Sequence, residues 1–299
     1  MTTLDWYGCA TFSLKTAGMT IFLDAYIDRA ANADGTGMSA DDIEECDWIV
    51  IGHSHFDHLY GAERIMANTD ATLIGSYETV RVMEQAGVPP ERMMCVAGGE
   101  TVDLGRDVKV SVYPSQHSCV WTSTQMAQPG EVCIGELGLT FQEQKMRMDA
   151  LIDGFGESLE PAAIDHVISS ATGHSERGDG GALIFLFELP DGTVLFQDTS
   201  GHWSGVFDDL TADVAILAAA GRANIDGEPI QGSLAEFMGR EVSAIGPSTV
   251  VLCHHDNWLP GFSIETDVTS IRDEIRRVAP GAQLLELGYL SGTEILPFG

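Results

Sequence analysis

The segment HSHFDH, residues 53–58, places three of the chain's nine histidines and an aspartate within six positions. It follows CDWIVIG, residues 46–52, an apolar run that predicts a buried strand. Two histidines at i and i+2 of an extended segment point the same way and can share one cation. Asp57 and His58 come where the chain turns into a helix, so they can face a second cation close by. A lone histidine is most often an ordinary surface or core residue. Three with a carboxylate at a strand end ask for metal.

Outward from this segment, short apolar runs alternate with turn signals. Residues 3–26, TLDWYGCATFSLKTAGMTIFLDAY, predict two strands with a turn near Ala17-Gly18. DHLYGAERIMANT has helical spacing, with Leu59, Ala62, Ile65 and Met66 on one face. ATLIGS predicts a strand, YETVRVMEQAGV a helix closed by Gly87, and DVKVSVYPSQHS a strand that stops at Pro114. From about 120 to 180 the pattern turns helical and loop-rich, which predicts an inserted helical cap on one domain spanning 1–299. Strands return with ALIFLFEL and TVLFQD around a Pro190-Asp191-Gly192 turn. DVAILAAA and STVVLCHH predict further buried strands, VTSIRDEIRRVAPG a late helix. Interleaved strands and helices predict an α/β fold with helices covering the sheets.

Composition narrows the function. The hydrophobic fraction of 44% and charged fraction of 20% suit a globular protein. The formal net charge is −30 and the only lysines are Lys15, Lys109 and Lys145, so nucleic acid and anionic membranes are not expected partners. The carboxylates serve solubility; adaptation to salt is a second reading. No apolar run is long enough to span a membrane. The opening MTTLDWYGCATF has no basic stretch leading into an apolar one, and none of the six cysteines forms a CxxC pair, so the expectation is a cytoplasmic protein with reduced thiols. A GxSxG elbow and a Walker A loop are both missing from the sequence.

HSHFDH matches the H-x-H-x-D-H signature of the metallo-β-lactamase superfamily. The opening segment also resembles that superfamily's first hairpin, with a strand ending in Asp24. Cys9 stands where many relatives carry His, a departure with no expected consequence for metal binding. The chain is most similar to the branch holding ascorbate-6-phosphate lactonase and the N-acyl-phosphatidylethanolamine phospholipase D-like hydrolases. The resemblance implies an αββα sandwich, two facing sheets covered by helices, with the helical insertion added. It further implies His117 in VYPSQHS, Asp198 in LFQDTSG and His254 in VVLCHHDNW as ligands, His254 being preferred to His255 for its spacing to Trp258.

One ion would then rest on His53, His55 and His117, the other on Asp57, His58 and His254, with Asp198 between them. Such N and O donors suit zinc, with iron or manganese as alternatives. The implied reaction is hydrolysis of a small ester, lactone or phosphodiester by a hydroxide shared between the ions, with Asp57 holding its proton and Asp24 orienting a histidine. His202, four residues after Asp198, is a further catalytic candidate; Trp203, His174 and His166 are weaker ones. Arg147 and Arg177 could clamp a phosphate, and Phe141, Met146, Met148 and Phe155 could line an apolar groove, though ordinary packing and charge balance explain them as well. Two other readings stay open, a diiron redox protein and a binding protein that holds metal without turnover. The expected partner is a small molecule, and a homo-oligomer is compatible.

Overall fold

The computed structural model describes residues 1–119, 130, 138–172, 178–263 and 265–296. In chain order its strands begin with β1 (Thr2–Gly8), β2 (Thr11–Thr16), β3 (Met19–Leu23), β4 (Trp48–Val50), β5 (Thr72–Gly75) and β6 (Met93–Cys95). Then come β7 (Thr101–Gly105), β8 (Val108–Pro114), β9 (Leu183–Leu189), β10 (Gly192–Gln197), β11 (Gly201–His202) and β12 (Val214–Ala218). The last are β13 (Asn224–Ile225), β14 (Glu228–Pro229), β15 (Thr249–Cys253), β16 (Gln283–Leu285) and β17 (Thr293–Leu296). The helices are α1 (Phe56–Leu59), α2 (Ala62–Asn68), α3 (Tyr77–Gln85), α4 (Phe141–Ser158), α5 (Pro161–Thr172), α6 (Ser204–Phe207), α7 (Leu234–Ile245) and α8 (Thr269–Val278).

Two seven-stranded sheets form, in the orders β17-β1-β2-β3-β4-β5-β6 and β16-β15-β12-β10-β9-β8-β7. Alternation along the strands builds three layers of core. Leu4, Phe12, Ile21 and Val50 of the first sheet meet Val110, Phe185, Phe196 and Val251 of the second. On the second sheet's outer face, Ile184, Leu195, Leu217 and Val250 pack under Phe237, Met238 and Val242 of α7 and Ile271 and Ile275 of α8. On the first sheet's outer face, Phe22, Ile49 and Leu73 pack under Ile65 and Met66 of α2 and Val82 of α3. This is the αββα sandwich. Among the described residues no helix is long and apolar enough to cross a membrane.

The structure departs from the sequence reading in places. Residues 3–26 make three strands, because Gly8 and Cys9, at φ of 96° and 49°, form a tight turn that splits the first run. The predicted helix after HSHFDH is two, α1 and α2, broken at Gly61 with φ of 109°. Helix α7 was not foreseen, although its signal is plain. Ser233 and Glu236 form a capping box, and Gly246 closes the far end in the left-handed region. In the inserted block α4 starts at a similar Thr140–Glu143 box, and α5 follows it.

Candidate metal centre

The strands that feed the site end at one edge. Strands β3 and β4 run parallel, as do β10, β12 and β15, while β8 is antiparallel to β9 and β9 to β10. The carboxyl ends of β1, β3 and β4, and of β8, β10 and β15, therefore carry Cys9, Asp24, His53, His117, Asp198 and His254 in the turns that follow. Such crevices beyond strand ends are where α/β sheets bind ligands.

His53, His55 and His117 come together, with ligand atoms mutually within 4.8 Å. His53 Nε2 lies 3.1 Å from His55 Nδ1. His117 donates its Nδ1–H to the Ser118 carbonyl at 2.8 Å, which leaves Nε2 with the lone pair. Burial and the neighbouring rings hold His55 well below its ordinary value, and burial and His53 bring His117 down to about 4. Both rings are neutral near pH 7, the form a cation needs.

A second group surrounds Asp57. Its Oδ2 lies 3.2 Å from His254 Nε2 and 3.5 Å from His58 Nε2. Burial pushes the Asp57 carboxyl up, but His58 and His254 outweigh it and hold the group well below the carboxylate range. Burial disfavours charge on His58, yet Asp57, Asp24 and Asp198 hold it well above the ordinary value. His254 is raised to about 10 against burial by the Cys9 thiol and Asp57. The Trp258 indole N–H, however, donates to His254 Nδ1 at 3.2 Å, and a ring protonated on both nitrogens could not accept it. The indole's placement is decisive: the ring carries one proton, on Nε2, where a bound cation would displace it. His255 lies apart, stacked on Trp6 at 4.9 Å with the planes 2° from parallel.

Asp24 and Asp198 join the two groups from beneath. Asp24, fully buried at φ of 54°, accepts the Gly52 N–H at 2.9 Å and His58 Nδ1–H at 2.7 Å. Burial and the nearby Asp198 raise it to about 7, with His58 opposing. Asp198 Oδ2 lies 2.6 Å from His53 Nδ1 and 3.2 Å from His58 Nδ1. It thus meets one ring from each group at Nδ1 and leaves both Nε2 atoms for a cation. Its other oxygen, Oδ1, is buried with no hydrogen-bond partner among the described residues. Burying a carboxylate oxygen unpaired is costly, so this atom fits a missing cation. Gly52 makes the arrangement possible, since a Cβ there would stand 2.2 Å from the Asp198 carboxylate. Sequence reasoning passed over Gly52, although its place directly before HSHFDH was visible.

One expectation needs correction. His202 is buried in the helix layer, stacked on Phe207 and Phe237, with Nδ1 2.9 Å from Glu241 Oε1. The bend after Asp198 carries it to that layer rather than to the histidine cluster. His166, a weaker candidate, has its Nε2 2.8 Å from the buried Tyr26 hydroxyl. Cys9, given no part in metal binding by the sequence reading, has its sulfur mutually within 4.8 Å of an Asp57 oxygen and a His254 nitrogen. Trp203 is partly exposed, and Phe141 and Met146 are exposed, so those two line no closed groove. His174 and Arg177, and the side chain of Phe155, lie outside the described residues. The groove between α7 and α8, lined by Glu236, Arg240, Glu274 and Arg277, holds none of the cluster residues.

Comparison with known proteins agrees with the fold. A beta-lactamase superfamily domain model matches residues 19–145. A UPF0173 metal-dependent hydrolase of Pyrobaculum arsenaticum is 30% identical over 117 residues, 38% of this chain and 50% of that relative. The chain thus spans about half the length of the curated relatives it matches. Among solved structures, Igni18, a metallo hydrolase of the archaeon Ignicoccus hospitalis, superposes with a TM-score of 0.60 at 15% identity, covering 96% of this chain and 94% of that one. CmlA, a diiron β-hydroxylase of Streptomyces venezuelae, superposes with a TM-score of 0.54 at 14% identity, covering 97% of this chain and 53% of that one. The chain has the metallo-β-lactamase fold, and over part of its length its sequence is similar to that of metal-dependent hydrolases.

Proposed function

We propose that this protein is a dinuclear metal-dependent hydrolase of small ester, lactone or phosphodiester substrates, related to the lactonase and phospholipase D-like branch. The observation that carries it is the gathering of His53, His55 and His117 in one set and of Asp57, His58 and His254 in another, joined through the contacts of His53 and His58 with Asp198, whose Oδ1 is buried with no hydrogen-bond partner among the described residues. One ion would be held by the first three histidines and the other by Asp57, His58 and His254, with Asp198 between the two sets. Zinc suits the donors, with iron or manganese as alternatives. Bound divalent ions supply a water that ionises near neutral pH and positive charge beside the substrate oxygen.

The chain's own residues do the rest. Asp24 and Asp198 hold His58 and His53 by Nδ1, so their Nε2 atoms stay aimed. Asp57, held anionic, offers its oxygens to a water proton. Trp258 stands edge-to-face with His254, Tyr26 edge-to-face with both Trp258 and Phe56, with Tyr60 and Phe262 adjoining, and α5 packs Ala163 and Val167 against them. Apolar packing on this side of His254 would favour a substrate with an apolar part over a polyanion. Metal analysis with hydrolysis of a panel of lactones, aryl esters and p-nitrophenyl phosphodiesters tests the reading. Two ions per chain and chelator-sensitive turnover are expected; a metal-loaded protein inert to every class would favour a binding role.

The same fold carries a diiron β-hydroxylase in CmlA, which gives a second reading. Stoichiometric iron with visible absorption would favour it over hydrolysis.

A further inference from the structure

The β1–β2 turn is held with unusual completeness around one residue. The Cys9 N–H donates to both carboxylate oxygens of Asp256, at 3.0 and 3.1 Å. The Cys9 carbonyl accepts the His254 N–H at 2.8 Å and the Trp6 indole N–H at 3.0 Å. Cys9 also adopts a φ of 49°, a region that side chains with a Cβ enter only at a cost. All this fixes the direction of a fully buried thiol, which makes a long bond of 3.6 Å to the Asp57 carbonyl and also interacts with the His254 side chain. The sulfur, an Asp57 oxygen and a His254 nitrogen lie mutually within 4.8 Å. Ligands of a tetrahedral zinc stand closer together than that by roughly an ångström. A modest closure would bring all three onto one ion.

We propose that Cys9 is a metal ligand, its sulfur joining Asp57, His58 and His254 on the second ion. This rests on the dinuclear reading and deepens it. On binding, the S–H proton leaves to solvent as the sulfur–metal bond forms, with no change of oxidation state. A thiolate is a soft donor, so this half of the centre selects zinc, cobalt or iron over manganese or magnesium. The other half, with three imidazoles, carries no such preference for soft metals, so the two halves differ in selectivity.

The test uses the full chain loaded with Co(II), with stoichiometry from elemental mass spectrometry and the near-ultraviolet spectrum recorded. Two cobalt ions and a thiolate-to-cobalt charge-transfer band are expected. Cys9→Ser should lose the band and bind the second ion at least about tenfold more weakly. Cys9→His, which installs the residue many relatives carry, should keep two ions without the band and serves as the folding control by circular dichroism. Cys253→Ala, at the neighbouring buried thiol, should retain the band. Two cobalt ions with no band, or a band that survives Cys9→Ser, overturns the ligand assignment and leaves the dinuclear reading standing. A wild-type chain that binds no cobalt overturns both.

Discussion

The backbone N–H of His254 donates to the carbonyl of Cys9 at 2.8 Å, and both residues hold left-handed backbone, at φ of 62° and 49°. Neither is glycine, so each conformation costs on the order of 1 kcal/mol or more. One hydrogen bond thus ties two strained turns from opposite ends of the chain. What they hold in common is the Asp57 corner of the centre, where aim matters more than backbone comfort.

The approach of Asp198 to Gly52 gives a sharp test. Gly52→Ala places a methyl carbon 2.2 Å from the carboxylate, too close to be relieved without moving a strand end. The variant should lose bound metal and about 2 kcal/mol or more of stability. Metal content and urea unfolding read both, and a variant that keeps its metal would show that Asp198 has room to shift.

Neighbouring histidines should separate cleanly. His117→Ala and Asp198→Ala are expected to remove metal and activity together. His255→Ala should keep the metal and lose only the stacking on Trp6, about 1 kcal/mol. If His255→Ala strips the metal, the ligand choice at this strand end is wrong.

The pH response of metal-stripped protein follows from His117. Burial and His53 lower it from 6.5 to about 4. Between those values the unfolded chain binds a proton here and the folded chain does not. Its contribution to stability is therefore present at neutral pH and lost as pH falls through that window. Relative to His117→Gln, the wild type should lose about 3 kcal/mol on going from pH 7 to 4. Unfolding free energies that stay parallel across this range would count against a neutral buried ring.

His202 should prove structural. Its replacement by Ala leaves Glu241, buried and with its carboxyl raised by burial, without its imidazole partner. A loss of about 2 kcal/mol is expected, with metal content and turnover per folded molecule unchanged. A fall in turnover at constant metal would return His202 to the chemistry.

What could be read in advance depended on range. HSHFDH declares itself because its geometry is local, a strand end running into a helix. His117, Asp198 and His254 were named through resemblance alone, and each follows an apolar run that packs between the sheets. Cys9 was not named as a ligand, because its meeting with Asp57 and His254 exists only once the first turn is pinned by Asp256. His202 misled for the converse reason: nearness to Asp198 in the chain is undone by a single bend. Helix α7 carries local signals, its capping box and terminal glycine being visible in the sequence.

One oxygen of Asp198 serves His53 from one trio and His58 from the other. Whatever settles that carboxylate for the first ion settles it for the second. Loading should therefore be cooperative, passing from empty to full with little half-occupied protein between, and a titration followed ion by ion would show a single steep rise.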